Sequence, residues 1–257
     1  MTAKGSTSLA QRDRALLLGA LGALVALSWW YLFNLSRDMT WMMQTMGIGP
    51  WSAIDFLMMF LMWAVMMVGM MVPTAVRTVM IFAQISNRAK QRGKVAASAY
   101  WFTAGYIMIW IGFSVGATLL QWAFDQAALT SPMMILTSPY LGAFLLISAG
   151  AWQLSPIKDK CLRHCRSPAM YIATHFRPGI AGAINLGVRH GLYCLGCCWL
   201  LMDLLFVGGI MNFLWIAAIS GFILAEKLSP VSSWISRVSG GLMIGAGVVY
   251  LIWASTN

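Results

Sequence analysis

Seven apolar stretches, at residues 15–33, 54–82, 99–122, 134–154, 189–208, 211–225 and 238–254, alternate with short polar segments along the 257-residue chain. Most reach the ~20 residues that a helix needs to cross the hydrocarbon of a bilayer. The pattern predicts an all-α fold, a polytopic membrane helical bundle of about seven transmembrane helices. The sixth stretch, between Gly208-Gly209 and Glu226, is short and reads as tilted or partly crossing, so six spans with a re-entrant piece are the alternative. The Gly- and Ala-rich lead-in at 179–189 suits a half-helix or an interfacial element.

The polar stretches at 86–94 and 155–177 are too short to bury a core of their own. One integral membrane domain, 15–257, behind an N-terminal tail, 1–14, is therefore expected. Composition agrees: the chain is 60% hydrophobic and 9% charged, with mean hydropathy +0.75. The first apolar run follows Lys4, Arg12 and Arg14, but it is longer than a secretory h-region and has no clear small-residue cleavage site. It reads as a retained first helix.

Lys and Arg number 17 against 7 acidic residues. These cations are scattered through short loops without a reading motif, so topology explains them better than nucleic acid does. With a cytoplasmic N-terminus, all the basic residues except Arg37 fall on the inner side. The charge asymmetry predicts N-terminus in and C-terminus out, with the lipid bilayer as the first partner.

The fifth stretch carries His190, Cys194, Cys197, Cys198 and Met202. At ~100° per residue these five side chains project into an arc of roughly 140°, with His190, Cys194 and Cys197 inside about 60°. A lone buried cysteine is usually a small hydrophobe. Three within five residues, one turn after a histidine, argue instead for metal ligation or redox chemistry, and Cys194-x-x-Cys197 serves either. A second cluster, Cys161-x-x-His164-Cys165, falls in the predicted inner loop, where thiols stay reduced. It offers three donors, one short of a tetrahedral zinc set, and His175 is the candidate fourth. Thiolates, thioethers and imidazole together favour Cu(I), Zn(II) or an iron–sulfur centre over magnesium or calcium.

Methionine is abundant, with 20 residues, and it clusters. Met39, Met42, Met43 and Met46 fall around the first outer loop, and the second stretch holds Met58, Met59, Met62, Met66, Met67, Met70 and Met71. On a wheel Asp55, Met58, Met59, Met62, Met66, Met70 and Pro73 share about 120°, with Met67 and Met71 to one side. Methionine also fills irregular apolar space. Beside the cysteine stripe, a run of thioethers reads as a ladder of weak, soft sites leading inward from the outer face.

Pro73 should kink its helix and free a carbonyl near residue 69. Asp55 sits where helix capping or solvation explains it. Asp203 projects about 220° from His190, off the cysteine face, and as an intramembrane carboxylate is expected to meet a polar partner or serve as a proton or cation site. Trp29, Trp30, Trp41, Trp51, Trp110 and Trp253 lie mostly at span ends, as an aromatic belt requires. Gly112/Gly116, Gly187/Gly191 and Gly241/Gly245 have the spacing of close helix contacts. The chain has no phosphate loop, no Ser/His/Asp arrangement and no paired carboxylates, so hydrolase and nucleotide-driven pump chemistry have no basis.

Three segments resemble a bacterial membrane family catalogued as domain of unknown function 2182 and described as predicted metal-binding integral membrane proteins. They are Met66-Met67-Val68-Gly69-Met70-Met71-Val72-Pro73, the stretch from Gln153-Leu154-Ser155-Pro156 through Cys161-Leu162-Arg163-His164-Cys165, and His190-Gly191-Leu192-Tyr193-Cys194-Leu195-Gly196-Cys197-Cys198. The resemblance covers most of the chain from about Asp55 onward. It implies a membrane protein with Cys161, Cys165, Cys194, Cys197 and Cys198 as candidate ligands.

The leading expectation is handling or transport of a soft metal, with Cu(I) favoured over Zn(II), rather than catalysis. The expected metal residues are Met59, Met62, Met66, Met70, Cys161, His164, Cys165, His190, Cys194, Cys197, Cys198 and Met202, and a membrane or periplasmic protein would exchange the ion. The alternatives are a membrane thiol–disulfide carrier and an accessory or assembly subunit of a membrane metalloenzyme.

Overall fold

The computed structural model describes residues 3–37, 51–131, 134–229 and 231–256, residues 3–11 by backbone alone. Met39, Met42, Met43, Met46, Trp41 and the side chain of Lys4 lie outside the described residues. Among the described residues the chain is helical, with one isolated antiparallel bridge, Thr130 to Leu136.

The helices are α1 (Ala3–Arg37), α2 (Ala53–Gln91), α3 (Ala99–Gln126), α4 (Pro139–Gln153), α5 (Pro156–Arg166), α6 (Pro168–His175), α7 (Ile180–Asp203), α8 (Leu205–Gly208), α9 (Phe213–Leu228) and α10 (Ser232–Thr256). Five helical units are long and apolar enough to cross a membrane: Arg12–Arg37, α2, α3, α7 with α8, and α10. The bent pair α4 and α5 makes six if it counts as one span. The expected sixth stretch is α9, whose 16 residues rise about 24 Å, less than the ~30 Å hydrocarbon core.

Sequence sets the helix boundaries. Ser52 and Asp55 form a reciprocal capping box at the start of α2, which is the capping role expected for Asp55. Ser138-Pro139 and Ser155-Pro156 each place a capping serine before a proline at the first helical position. At the second of these the chain turns by 64°, so α5 leaves the line of α4 and folds against α7. The Cys161 to Cys165 segment is thus a helix, not a loop. Pro73 does not end α2, which runs on to Gln91. The Gly69 carbonyl, four residues before Pro73, instead accepts a hydrogen bond from the Trp29 indole at 3.2 Å.

α7 lies along α3, and α4 along α10, while α2 packs between α1 and α3. Glycines permit the closest approaches. A Cβ on Gly187 would overlap the Phe102 carbonyl, and one on Gly191 would meet Ile109 at 2.9 Å. Gly187→Val should therefore destabilise the bundle by about 1–3 kcal/mol, readable as a lower midpoint in detergent melting, whereas Gly112→Val should leave the midpoint unchanged. Gly112, Gly116, Gly241 and Gly245 face open space, so the packing expected of those two pairs is not found among the described residues. Gly240 and Gly247 take that part on α10, against Gln153, Gly150 and Ile147. Trp110 also departs from expectation. It is buried beside Phe113 and Tyr106, not in a belt, whereas Trp30 and Trp253 do face outward.

Candidate metal centre

On α7, His190, Cys194, Cys197, Cys198 and Met202 are all buried along one face. The thiols of Cys197 and Cys198 donate to the Cys194 carbonyl at 3.0 and 2.9 Å, which folds both back along the helix. Cys194 Sγ accepts from Lys227 Nζ of α9 at 2.8 Å and lies 3.0 Å from the Tyr106 hydroxyl of α3. Lys227 Nζ also stands 3.9 Å from Cys198 Sγ and 3.4 Å from Thr74 Oγ1 of α2. The lysine is only 4% exposed. His190 sits one turn earlier, its ring near Phe102 and Tyr106.

The methionines of α2 point into the same interior. Met59, Met62, Met66, Met67, Met70 and Met71 are fully or almost fully buried. Gln121 Nε2 donates to the sulfurs of Met59 and Met134 at 3.3 Å, and its carbonyl oxygen accepts from the Trp63 indole at 2.7 Å. From Met59 to Met71 the helix rises about 18 Å. At the lower end the Tyr106 hydroxyl donates to the Met71 carbonyl at 3.0 Å while touching Cys194. Trp63 packs against Phe206 higher up, so α2 and the α7–α8 unit run antiparallel at matching depth. The ladder and the cysteine stripe therefore meet at Met71, Tyr106 and Cys194.

α5 brings the second cysteine cluster to the first. The Cys165 thiol lies within interacting reach of Cys194 and Cys197. Cys161 Sγ sits against Gly196, 3.1 Å from where a Cβ would be, so the glycine inside the Cys194–Cys198 run is what lets α5 approach. His164 lies flat on Tyr193, with centroids 4.2 Å apart, and its Nδ1 is 2.9 Å from the Lys160 carbonyl. His175 stacks on Tyr171 at 4.4 Å. Among the described residues, no group of three or more His, Cys, Asp and Glu side chains is set to hold a metal ion. The set Cys161, His164, Cys165 and His175 is thus not assembled as a closed tetrahedron. The donors that gather here are the thiols of α7 with that of Cys165, and the methionines of α2 are buried in the same core.

Sequence reading missed Lys227, Tyr106 and Thr74 as neighbours of Cys194, and the buried pair that holds α5. Lys158 Nζ bonds both carboxylate oxygens of Glu226 at 2.6 and 2.8 Å, and Ser236 donates to the same carboxylate at 2.5 Å. Charge bias had put Lys158 and Lys227 among inner-side loop cations. For Lys227 the apolar run that ends in Ala225-Glu226-Lys227-Leu228 was the available signal of a buried ionisable group, whereas Lys158, beside Asp159 and Lys160, carried none. Asp203 is the last residue of α7, five residues beyond Cys198 and off the thiol cluster.

No curated protein and no solved structure matches the chain. Residues 60–250 match the family model PpoB2, described as a copper chaperone, and the matched stretch spans all five cysteines, Lys227 and the methionines from Met62 onward. Covering most of the chain and the whole of the convergence just described, that match means the chain belongs to the PpoB2 copper chaperone family.

Proposed function

We propose that the protein handles Cu(I) within a bacterial inner membrane, taking the ion through the α2 methionines and holding it at the α7 thiols. The observation that carries this reading is the link from the Met71 backbone carbonyl through the Tyr106 hydroxyl to Cys194 Sγ, at the lower end of a buried run of methionines. Thioethers bind Cu(I) weakly enough to pass it on, and thiolates bind it more strongly, so a gradient of affinity runs from Met59 to Cys194. Membership in a copper chaperone family supports copper as the ion.

In this reading Met59, Met62, Met66 and Met70 are transit sites, Met202 supplies a thioether beside the thiols, and Cys194, Cys197 and Cys198 receive the ion. Cys165 and Cys161 on α5, with His164 and His190 alongside, take it onward to a protein partner. The bundle is one membrane domain from residue 15, with seven crossings, a cytoplasmic N-terminus and α9 thinning or tilting in the bilayer. Zn(II) is the less suited ion, because it takes four ligands and, among the described residues, no group of three or more His, Cys, Asp and Glu side chains is set to hold a metal.

The test is the rate at which purified, reduced protein takes Cu(I) from a coloured chelator under anaerobic conditions. Met66→Leu with Met70→Leu conserves volume and removes two sulfurs. Loading should slow by about tenfold, the low end of what an outer group contributes to a metal site, with the final copper content unchanged. Equal loading rates in variant and wild type would remove the ladder from the account. A second reading, thiol–disulfide exchange, is favoured by the approach of Cys165 to Cys194 and Cys197. It predicts that alkylation of these thiols depends on an oxidising partner, and thiols that stay alkylatable throughout would exclude it.

A further inference from the structure

Lys227 is a buried cation that faces two thiols of α7, Cys194 at 2.8 Å and Cys198 at 3.9 Å. The only acid beside it in sequence, Glu226, points elsewhere and is bound at both oxygens by Lys158. That pair cancels itself. Among the described residues the ammonium is hydrogen-bonded to Cys194, Cys198 and the uncharged Thr74 hydroxyl, with the Tyr106 hydroxyl also on Cys194. Burial of net charge in a low-dielectric interior is costly, so the charge sum around Lys227 decides what can sit there.

We propose that Lys227 is a specificity-determining residue that makes the Cys194–Cys198 site accept a monovalent soft cation and reject a divalent one. The inference rests on the thiol-site reading above. Thiols ligate as thiolates. With Cys194 and Cys198 as the ligating pair and Cys197 kept as a neutral thiol that donates to the Cys194 carbonyl, two thiolates, one ammonium and one Cu(I) sum to zero, whereas the same site with Zn(II) or another divalent ion carries one uncompensated positive charge. Without the ammonium the order inverts, because two thiolates and a divalent ion are neutral and two thiolates with Cu(I) are not. Softness alone does not give this discrimination, since cadmium(II) is as thiol-seeking as silver(I). Lys227 would act from the outer shell, hydrogen-bonded to a ligand without being one.

The experiment measures Cu(I), Ag(I), Zn(II) and Cd(II) retention by the full reduced chain in detergent, each against a chelator, for wild type, Lys227→Met and Lys227→Arg. Wild type should hold Ag(I) and Cu(I) in preference to Cd(II) and Zn(II). Lys227→Met, which nearly conserves volume, should move the Ag(I)-to-Cd(II) preference by about 10–100-fold toward the divalent ion, the range seen for outer-shell groups. Lys227→Arg, which keeps the charge, should retain the wild-type order. A wild type that holds Cd(II) as well as Ag(I) overturns the inference without any variant, as does a Lys227→Met ratio equal to wild type. If Cys194→Ser with Cys198→Ser leaves wild-type copper retention intact, the thiol site itself is wrong and both conclusions fall. Cysteine-dependent binding with a Lys227-independent ratio overturns the charge rule alone.

Discussion

Serine at positions 194 and 198 together should lower Cu(I) affinity by more than about 100-fold, beyond the range that loss of an outer-shell group produces. Serine preserves the size of the side chain but replaces a soft, polarisable donor with a hard hydroxyl that Cu(I) binds poorly. The fold should tolerate the change. Neither thiol fills a large volume, and a serine hydroxyl can make the hydrogen bond to the Cys194 backbone carbonyl that Cys198 now makes at 2.9 Å. Copper retained per protein, read after anaerobic gel filtration beside an unchanged melting midpoint, checks the expectation. A single Cys197→Ser should lose less, because Lys227 faces Cys194 and Cys198.

Glu226→Gln is expected to be the most damaging single polar substitution for stability. Lys158 and Glu226 have side chains only 1% and 2% exposed, and the carboxylate satisfies both the ammonium and the Ser236 hydroxyl. Removing its charge strands Lys158 in the interior, which typically costs about 3–5 kcal/mol. Replacing both partners by apolar residues, Lys158→Met with Glu226→Leu, should recover most of that loss, since no uncompensated charge is left. The pair also has a positional consequence. It ties α5 to the end of α9, and α5 carries Cys161 and Cys165 to the α7 thiols. Glu226→Gln should therefore raise the alkylation rate of Cys165 below the melting transition, while the double substitution should leave it closer to wild type. Thermal melting and timed alkylation on the same samples separate the two effects.

Much of this architecture was legible in the chain because it rests on local periodicity. The apolar stretches located α1, α2, α3, α4, α7, α9 and α10, and the wheel of α2 put Met59, Met62, Met66 and Met70 on one buried face, although Met58 on that face is half-buried and Met67 and Met71, set to one side, are as fully buried. The face of α7 holding His190, Cys194, Cys197, Cys198 and Met202 was legible for the same reason. The carbonyl freed by Pro73 also followed from backbone chemistry, although its partner, Trp29, did not.

What escaped the sequence depends on contacts between distant segments. Lys227 meets Cys194 across 33 residues and Thr74 across 153, and no repeat in the chain encodes either separation. The return of α5 onto α7 requires the 64° turn at Ser155-Pro156 and the absence of a side chain at Gly196, two features that look ordinary when read singly. Gly112/Gly116 and Gly187/Gly191 have the same spacing, yet only the second pair meets a neighbouring helix, because spacing reports a possible groove and not its occupant. Trp110 fell outside the aromatic belt for a related reason: it turns toward Tyr106 and the site instead of toward lipid.

The most direct test of the central claim is X-ray absorption at the copper edge on wild-type protein loaded with one equivalent of Cu(I). The account predicts an all-sulfur first shell of low coordination number that loses sulfur in Cys194→Ser with Cys198→Ser. A first shell dominated by nitrogen or oxygen, or one unchanged by those substitutions, would contradict it.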